Sequence, residues 1–166
     1  LFRWKRVLLV QAAHPLAALR RAPSLAELAA HPLISYESSI RADSSLQRAF
    51  AGAGVTPQIA MTARDANLIK TYVRAGLGAG LLAEMATGTR EDEDLRIIEA
   101  PAEIPECITW AVIPRGRVLR DYALSVLHGL APQLDRRDLR RVLEGNQEPH
   151  WPQPPGWVEL TQSIAA

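Results

Sequence analysis

Asp65-Ala66-Asn67-Leu68-Ile69-Lys70-Thr71-Tyr72-Val73-Arg74-Ala75-Gly76-Leu77-Gly78-Ala79-Gly80-Leu81-Leu82-Ala83 is the stretch on which the fold turns. Asp65 suits an N-cap, because its carboxylate can accept from the free amides of a helix's first turn. Leu68, Ile69, Tyr72 and Val73 then recur at helical spacing and mark one apolar face. Gly76 stops the helix, and Leu77 to Ala83 reads as a strand of small apolar residues. A helix handed to a strand through a short glycine link is the repeating unit of an α/β sheet.

The same alternation extends both ways from this stretch. Upstream, Val7-Leu8-Leu9-Val10 reads as a buried strand. Ser24-Leu25-Ala26-Glu27 has the spacing of a capping box and opens a short helix ending near His31-Pro32. Leu33-Ile34-Ser35-Tyr36 is a strand, and a helix from Ser44 carries Leu46, Ala49, Phe50 and Ala53 on one face before Gly54 closes it. Ile59, Met61 and Ala63 alternate as in a strand. Downstream lie an acidic loop over 90–94, strands around 95–98 and 108–113, an amphipathic helix over 118–131, and a charged helix over 136–143. In the 118–131 helix, Leu119, Tyr122, Ala123, Val126, Leu127 and Leu130 form one stripe. Beyond Gly145, Pro149, Pro152, Pro154 and Pro155 predict an extended, loosely attached and dispensable tail. The fold class is therefore α/β, with a central mixed, mostly parallel sheet flanked by helices.

At 166 residues, 48% hydrophobic and 22% charged, the chain fits one globular domain, or one lobe of a larger domain plus extras. A net charge of +1 points no strong field at nucleic acid. Arg136, Arg137, Arg140 and Arg141 cluster, but Asp135, Asp138 and Glu144 interleave with them as on a solvated helical face. The single cysteine, Cys107, excludes an internal disulfide; its apolar neighbours predict a buried, inert thiol. No stretch is long enough for a membrane span, and Leu1 to Arg6 lack an initiator Met and a signal-peptide layout, so the chain reads as cut from a longer one.

Most candidate chemistry fails on context. Gly78-Ala79-Gly80-Leu81-Leu82-Ala83 satisfies G-x-G-x-x-A, but a dinucleotide site needs a strand before the glycines and a helix after them, and here the order is reversed. His14, His31, His128 and His150 show no metal-ligand spacing, and Glu91-Asp92-Glu93-Asp94 lacks the pattern of a calcium loop and reads as a solvated turn. No cofactor, no metal and no enzyme activity are expected. Two strand-to-helix junctions do suit a small anion, since helix-start amides and the helix dipole favour negative charge there. One offers Tyr36, Ser38, Ser39 and Arg41; the other offers Thr62 and Asp65. Two such junctions facing one cleft make a small-molecule site.

Residues 65–80 closely resemble the D-A-D-V-I-K-T-Y-V-R-L-G-L-G-V-G stretch of the CysB/Cbl-like branch of LysR-type transcriptional regulators. His31 to Tyr36 match that branch's Y-P-L-V-T-Y. Arg115 to Leu130, followed by Ala131-Pro132-Gln133-Leu134, match the closing segment of its effector domain. The resemblance runs in order from residue 1 to about 140. It implies a type 2 periplasmic-binding-protein fold with two lobes around an effector cleft. Residues 1–105 would be the second lobe, 106–134 the segment returning to the first lobe, and 135–166 a C-terminal helix and tail. It also implies a cytoplasmic homotetramer that meets promoter DNA only through a helix-turn-helix domain absent from this chain. Regulators of this branch sense acetylated serines and sulfur anions such as sulfate and thiosulfate, and control sulfur uptake and cysteine synthesis. An exported solute-binding protein is the competing reading of the same fold. One departure falls in the site. Where the branch has an anion-contacting threonine this chain has Arg41, and the loop's glycines and aromatics are replaced by Glu37, Ser38, Ser39 and Ile40, which points to a different, more acidic effector. By the same resemblance the 118–131 helix packs on the first lobe, so its apolar face is expected to lack a complete partner here.

The near-balanced charge can be tested directly. In gel shifts at moderate salt these 166 residues alone should show no sequence-selective retention of promoter DNA, and selective retention would contradict the reading.

Overall fold

The computed structural model describes residues 1–88, 90–114, 118–145 and 151–165. Arg115, Pro149 and His150, named above, lie outside them. The elements are β1 (Phe2–Trp4), β2 (Arg6–Gln11), α1 (Leu25–Ala29), β3 (Pro32–Tyr36), α2 (Ser45–Gly52), β4 (Gln58–Ala63) and α3 (Ala66–Arg74). They continue with β5 (Ala79–Ala83), β6 (Leu95–Glu99), β7 (Cys107–Thr109), α4 (Asp121–Leu130), α5 (Arg136–Leu143) and α6 (Trp157–Ala165). The chain forms two compact units, Lys5–Cys107 and Leu1–Trp4 with Ile108–Ala166.

The larger unit is built on a five-stranded sheet of order β4-β3-β5-β2-β6. β3 is parallel to β4 and β5, whereas β2 is antiparallel to both of its neighbours. The sheet is therefore mixed, with β2 alone running against the rest. Both faces are covered, which is why β5 is buried along its whole length and β2 carries the unbroken apolar run Leu8-Leu9-Val10. Alternation along β2 divides the core. Leu8 and Val10 join Leu25, Leu28, Leu46 and Phe50 under α1 and α2, and Leu9 joins Ile69, Val73 and Leu82 under α3.

The expected caps are present. Ser24 and Glu27 exchange backbone-to-side-chain bonds of 2.7 and 3.2 Å, and the Arg21 guanidinium holds the Glu27 carboxyl down to about 2. Ser44 caps α2 and Asp65 caps α3. On β4 the alternation of Ile59, Met61 and Ala63 does not hold. The register with β3 shifts between Leu33–Ile59 and Ile34–Met61, and this bulge leaves Met61 exposed beside a buried Ala63.

Two expectations along α3 change. Leu68 is exposed while Lys70, two residues further on, is only 5% exposed. The acidic run after β5 is not simply a solvated turn: Asp92 is 4% exposed and bonds Lys70 at 2.8 Å. The glycines of the G-x-G segment are sites of close packing. A Cβ on Gly78, whose φ is +152°, would stand 2.3 Å from the Pro32 carbonyl oxygen; one on Gly80 would meet Val73 and Ile69 methyls at 2.8 and 2.9 Å.

In the smaller unit β1 pairs with β7. The strand expected to reach Ile113 ends at Thr109, because the three-residue β1 can pair no further; Trp110 is 70% and Val112 89% exposed. Cys107, the last residue of the larger unit and the first of β7, is half-buried rather than buried. The helix expected over 118–131 starts at Asp121, and its Tyr122, Val126 and Leu130 are exposed while Leu124 is buried. The tail departs most from expectation. Its described prolines all precede Gly156, so nothing blocks α6; Glu159 binds the Gly156 amide, Leu160 is buried, and Trp157 lies 5.3 Å from the Phe2 ring. Arg3 further bonds the carbonyls of Pro154 and Pro155, each at 2.8 Å.

Close packing in the larger unit sets the expected response to added volume. Gly80→Ala should lower stability by about 1–3 kcal/mol through overpacking, whereas Gly52→Ala, with nothing within 4 Å, should not destabilise; chemical denaturation compares them. A pH dependence is expected from His14, whose Nδ1 accepts from the Leu16 amide at 3.2 Å and whose ring lies 4.8 Å from that of His31. Burial, then the charge of His31, lowers its pKa. A depressed histidine contributes stability above its unfolded pKa, about 6.5, and loses it as pH falls through the folded value. The melting temperature should drop on acidification below that pH, and His14→Asn, which retains a capping oxygen, should flatten the drop.

Candidate functional site

The parallel pairing of β3 with β4 sets Ser35 against Thr62 and Tyr36 against Ala63, so both predicted junctions emerge at one edge of the sheet. In open α/β sheets this carboxyl edge is where ligands sit. The chain after Tyr36 turns through a 3-10 segment, Glu37–Ile40, before α2; the chain after Ala63 passes Arg64 and Asp65 into α3. Arg64 Nε and Glu37 Oε2, 3.5 Å apart, link the two junctions, although both side chains are largely exposed and the link adds little stability.

Each predicted site residue has a definite place. Tyr36 is half-buried at the end of β3. Burial raises its phenol above the ordinary range, a hydrogen bond with the Ala83 backbone opposes that, and the Asp65 charge adds to it. Ser38 is exposed and Ser39 buried. The Ser39 carbonyl accepts from Ser44 Oγ at 2.7 Å, and the same Oγ accepts from the Gln47 amide at 3.1 Å. Hence one of the amides expected to be free at the start of α2 is taken. Arg41 is 71% exposed, with its Nε 3.2 Å from Asp43 Oδ1. Thr62 is half-buried, and Asp65 is exposed, its carboxylate accepting from the Leu68 amide at 2.9 Å. Tyr36, Thr62 and Asp65 are thus gathered at the edge, while Arg41 stands outward.

Two features here were not read from the sequence. Glu84, just past β5, binds Lys5 reciprocally: its carboxylate accepts from the Lys5 amide at 2.8 Å, and its own amide donates to the Lys5 carbonyl at 3.0 Å. On α3, Lys70 and Arg74 reach back to Asp92 and Asp94. The signal for the second lay in a lysine and an arginine four residues apart on a helix that precedes an acidic run.

The gathered side chains offer the hydroxyls of Tyr36 and Thr62, which can donate hydrogen bonds to an anion, beside the Asp65 carboxylate, which cannot; the nearby guanidinium groups, Arg41 and Arg64, are exposed and lie against Asp43 and Glu37. Among the described residues no group of three or more His, Cys, Asp or Glu could hold a metal ion, and no helix is long and apolar enough to cross a membrane.

Comparison with known proteins shows the family and the fold. The LysR substrate binding domain family matches residues 1–135. The chain is similar to the HTH-type transcriptional regulator CysB of Burkholderia cenocepacia, 36% identical over 89% of this chain and 47% of that protein. It is similar also to the HTH-type transcriptional regulator cbl of Escherichia coli, 35% identical over 89% of this chain and 46% of that protein. The chain therefore spans about half the length of the curated relatives it matches. Among solved structures, the cofactor-binding domain of the Cbl transcriptional regulator superposes with a TM-score of 0.77 at 34% identity, over 86% of this chain and 62% of that one. Family and structural likeness together give the mixed sheet its type: a periplasmic-binding-protein type 2-like fold.

Proposed function

Because the chain belongs to the LysR substrate-binding-domain family, we propose that it is the effector-sensing part of a transcription regulator of sulfur assimilation and cysteine synthesis. The effector is a small anion such as acetylserine, sulfate or thiosulfate, or a more acidic molecule. It binds at the carboxyl edge of β3 and β4, to Tyr36, Ser38, Ser39, Arg41, Thr62 and Asp65. The observation that carries this reading is the parallel β3–β4 pairing, which brings both strand-to-helix junctions to one edge. Promoter DNA is met through a helix-turn-helix domain outside this sequence, and the intact protein works as a cytoplasmic homotetramer without catalysing a reaction. The Lys5–Cys107 unit is one lobe of the effector domain. The exposed apolar residues of α4 are covered by the remainder of the other lobe.

Within this site Arg41 selects the effector. Its pairing with Asp43 is exposed and therefore weak, so the guanidinium exchanges that partner for a carboxylate or sulfate at little cost. Titration calorimetry of the full-length protein with acetylserine, sulfate, thiosulfate and dicarboxylates tests both points. Arg41→Thr should weaken the preferred anion about tenfold, equivalent to about 1.4 kcal/mol, and shift preference among the panel. Equal affinities in wild type and mutant would remove Arg41 from the site, and no binding of any of these anions would overturn the reading of the site itself.

A further inference from the structure

The Lys70–Asp92 pair is the most deeply buried ion pair among those described. Nζ and Oδ2 are 2.8 Å apart, and the two side chains are 6% and 1% exposed. Arg74 joins from the next turn, 3.7 Å from Asp92 Oδ1, with Nε 2.8 Å from Asp94 Oδ2 and Nη2 3.0 Å from Asp94 Oδ1. Arg74 also donates to the Glu91 carbonyl. Lys70 and Arg74 are four residues apart, on one stripe of α3.

We propose that this pair is a register clamp on α3, with Lys70 a positioning residue that holds the Asp65 end of the candidate site in place. The role at the site rests on the functional reading above; the clamp itself does not. The rest of the α3 contact is mainly apolar: Ile69 and Val73 meet β5 at Gly80 and pack with Leu9, Ile34, Leu82 and Leu95, and one further polar tie runs from Gln11 Nε2 to the Arg74 carbonyl at 2.8 Å. Apolar contact is non-directional, so it resists separation of helix and sheet more strongly than small rotations or slides of the helix.

An ion pair does not tolerate them. Turning α3 by one residue swings Lys70 through roughly 100°, and sliding it by one residue moves Nζ about 1.5 Å along the axis. Either motion leaves the Asp92 carboxylate buried without its lysine, which costs far more than the apolar contacts gain. Buried pairs add little net stability over apolar side chains of similar size, and specifying register is their best-attested use. The clamp sits at the middle of α3, and a helix of nine residues is short enough to carry the restraint to its first turn. Its first turn is tied to the site through Asp65, which accepts from the Leu68 amide at 2.9 Å and, by its carbonyl, from the Ile69 amide at 3.4 Å.

Amide exchange and thermal melting of the full-length protein test the proposal. Lys70→Met alone should lower the melting temperature by about 10 °C, because Asp92 is then buried without its lysine. Lys70→Met combined with Asp92→Leu should restore it to within about 5 °C of wild type. In that restored variant the Leu68 and Ile69 amides should exchange about tenfold faster than in wild type, with the Leu81 amide of the central sheet unchanged. Restored stability with wild-type exchange at Leu68 and Ile69 would show a merely structural pair and overturn the clamp. Should the double variant not fold, Lys70→Met alone replaces it: exchange that accelerates more at Leu68 and Ile69 than at Leu81 supports the clamp, and equal acceleration at all three overturns it. Sulfate titration of the same proteins separates the two claims. Wild type that binds sulfate and a double variant weakened about tenfold support positioning of the site. Equal sulfate affinity in the two overturns it. Failure of wild type to bind sulfate, acetylserine or thiosulfate counts against the functional reading, while exchange alone decides the clamp.

Discussion

A Cβ at Gly80 would stand 2.8 Å from Val73 and 2.9 Å from Ile69, so α3 reaches the sheet at backbone distance only because that carbon is missing. The approach has consequences in both directions. Beneath it, β5 can lie in the middle of the sheet, buried throughout, with β3 on one side and β2 on the other. Above it, α3 comes near enough to the turn after β5 for Lys70 to bury its ammonium against Asp92. Gly78 extends the same constraint to the entry of β3, where the Pro32 carbonyl leaves no room for a side chain. Close packing of this kind gains dispersion contact and excludes water, but it makes the larger unit intolerant of added volume along this seam.

The segments legible in advance were those whose causes are local. A capping box needs residues three apart, and Ser24 with Glu27 has that spacing; a helix stripe needs a 3.6-residue period, and Ile69 with Val73 has it. Even the failure of the glycine motif as a dinucleotide site could be read, because a helix preceded the glycines and a strand followed. What escaped was decided by partners distant in sequence. The bulge in β4 belongs to its pairing with β3, and no periodicity within Gln58–Ala63 announces it. The early end of β7 is set by the length of β1, more than a hundred residues away. The docking of α6 depends on Phe2 in the same way, and the prolines ahead of it mask a helix that contains none.

The candidate site was legible in position more than in contacts. Strand ends followed by capping residues marked both junctions, and their convergence follows once β3 and β4 are known to be parallel neighbours. The Asp65 cap was readable from its place before α3, but the sequence had no means of saying that Ser44 Oγ would also bond the Ser39 carbonyl, or that Arg41 would settle beside Asp43. Each is a competition between short polar contacts of similar strength, resolved by small differences in backbone direction. Asp92 is the clearest case: in a run of four acids, only the fold decides which one goes inside.

The bulge between Leu33 and Ile34 in the β3–β4 pairing falls on an edge strand, and that location has a bearing on colloidal behaviour. The outer strand of a sheet displays unpaired amides and carbonyls that can template addition of a strand from another molecule. Along β4 the extra residue breaks the regular spacing that an incoming strand would need. At the opposite margin, β6 sets exposed Arg96 and Glu99 around exposed Ile97, so a strand docking there must desolvate charge. A sheet with two open margins is thereby guarded against edge-to-edge growth by irregularity on one side and by charge on the other, and crowding of many copies need not end in aggregation.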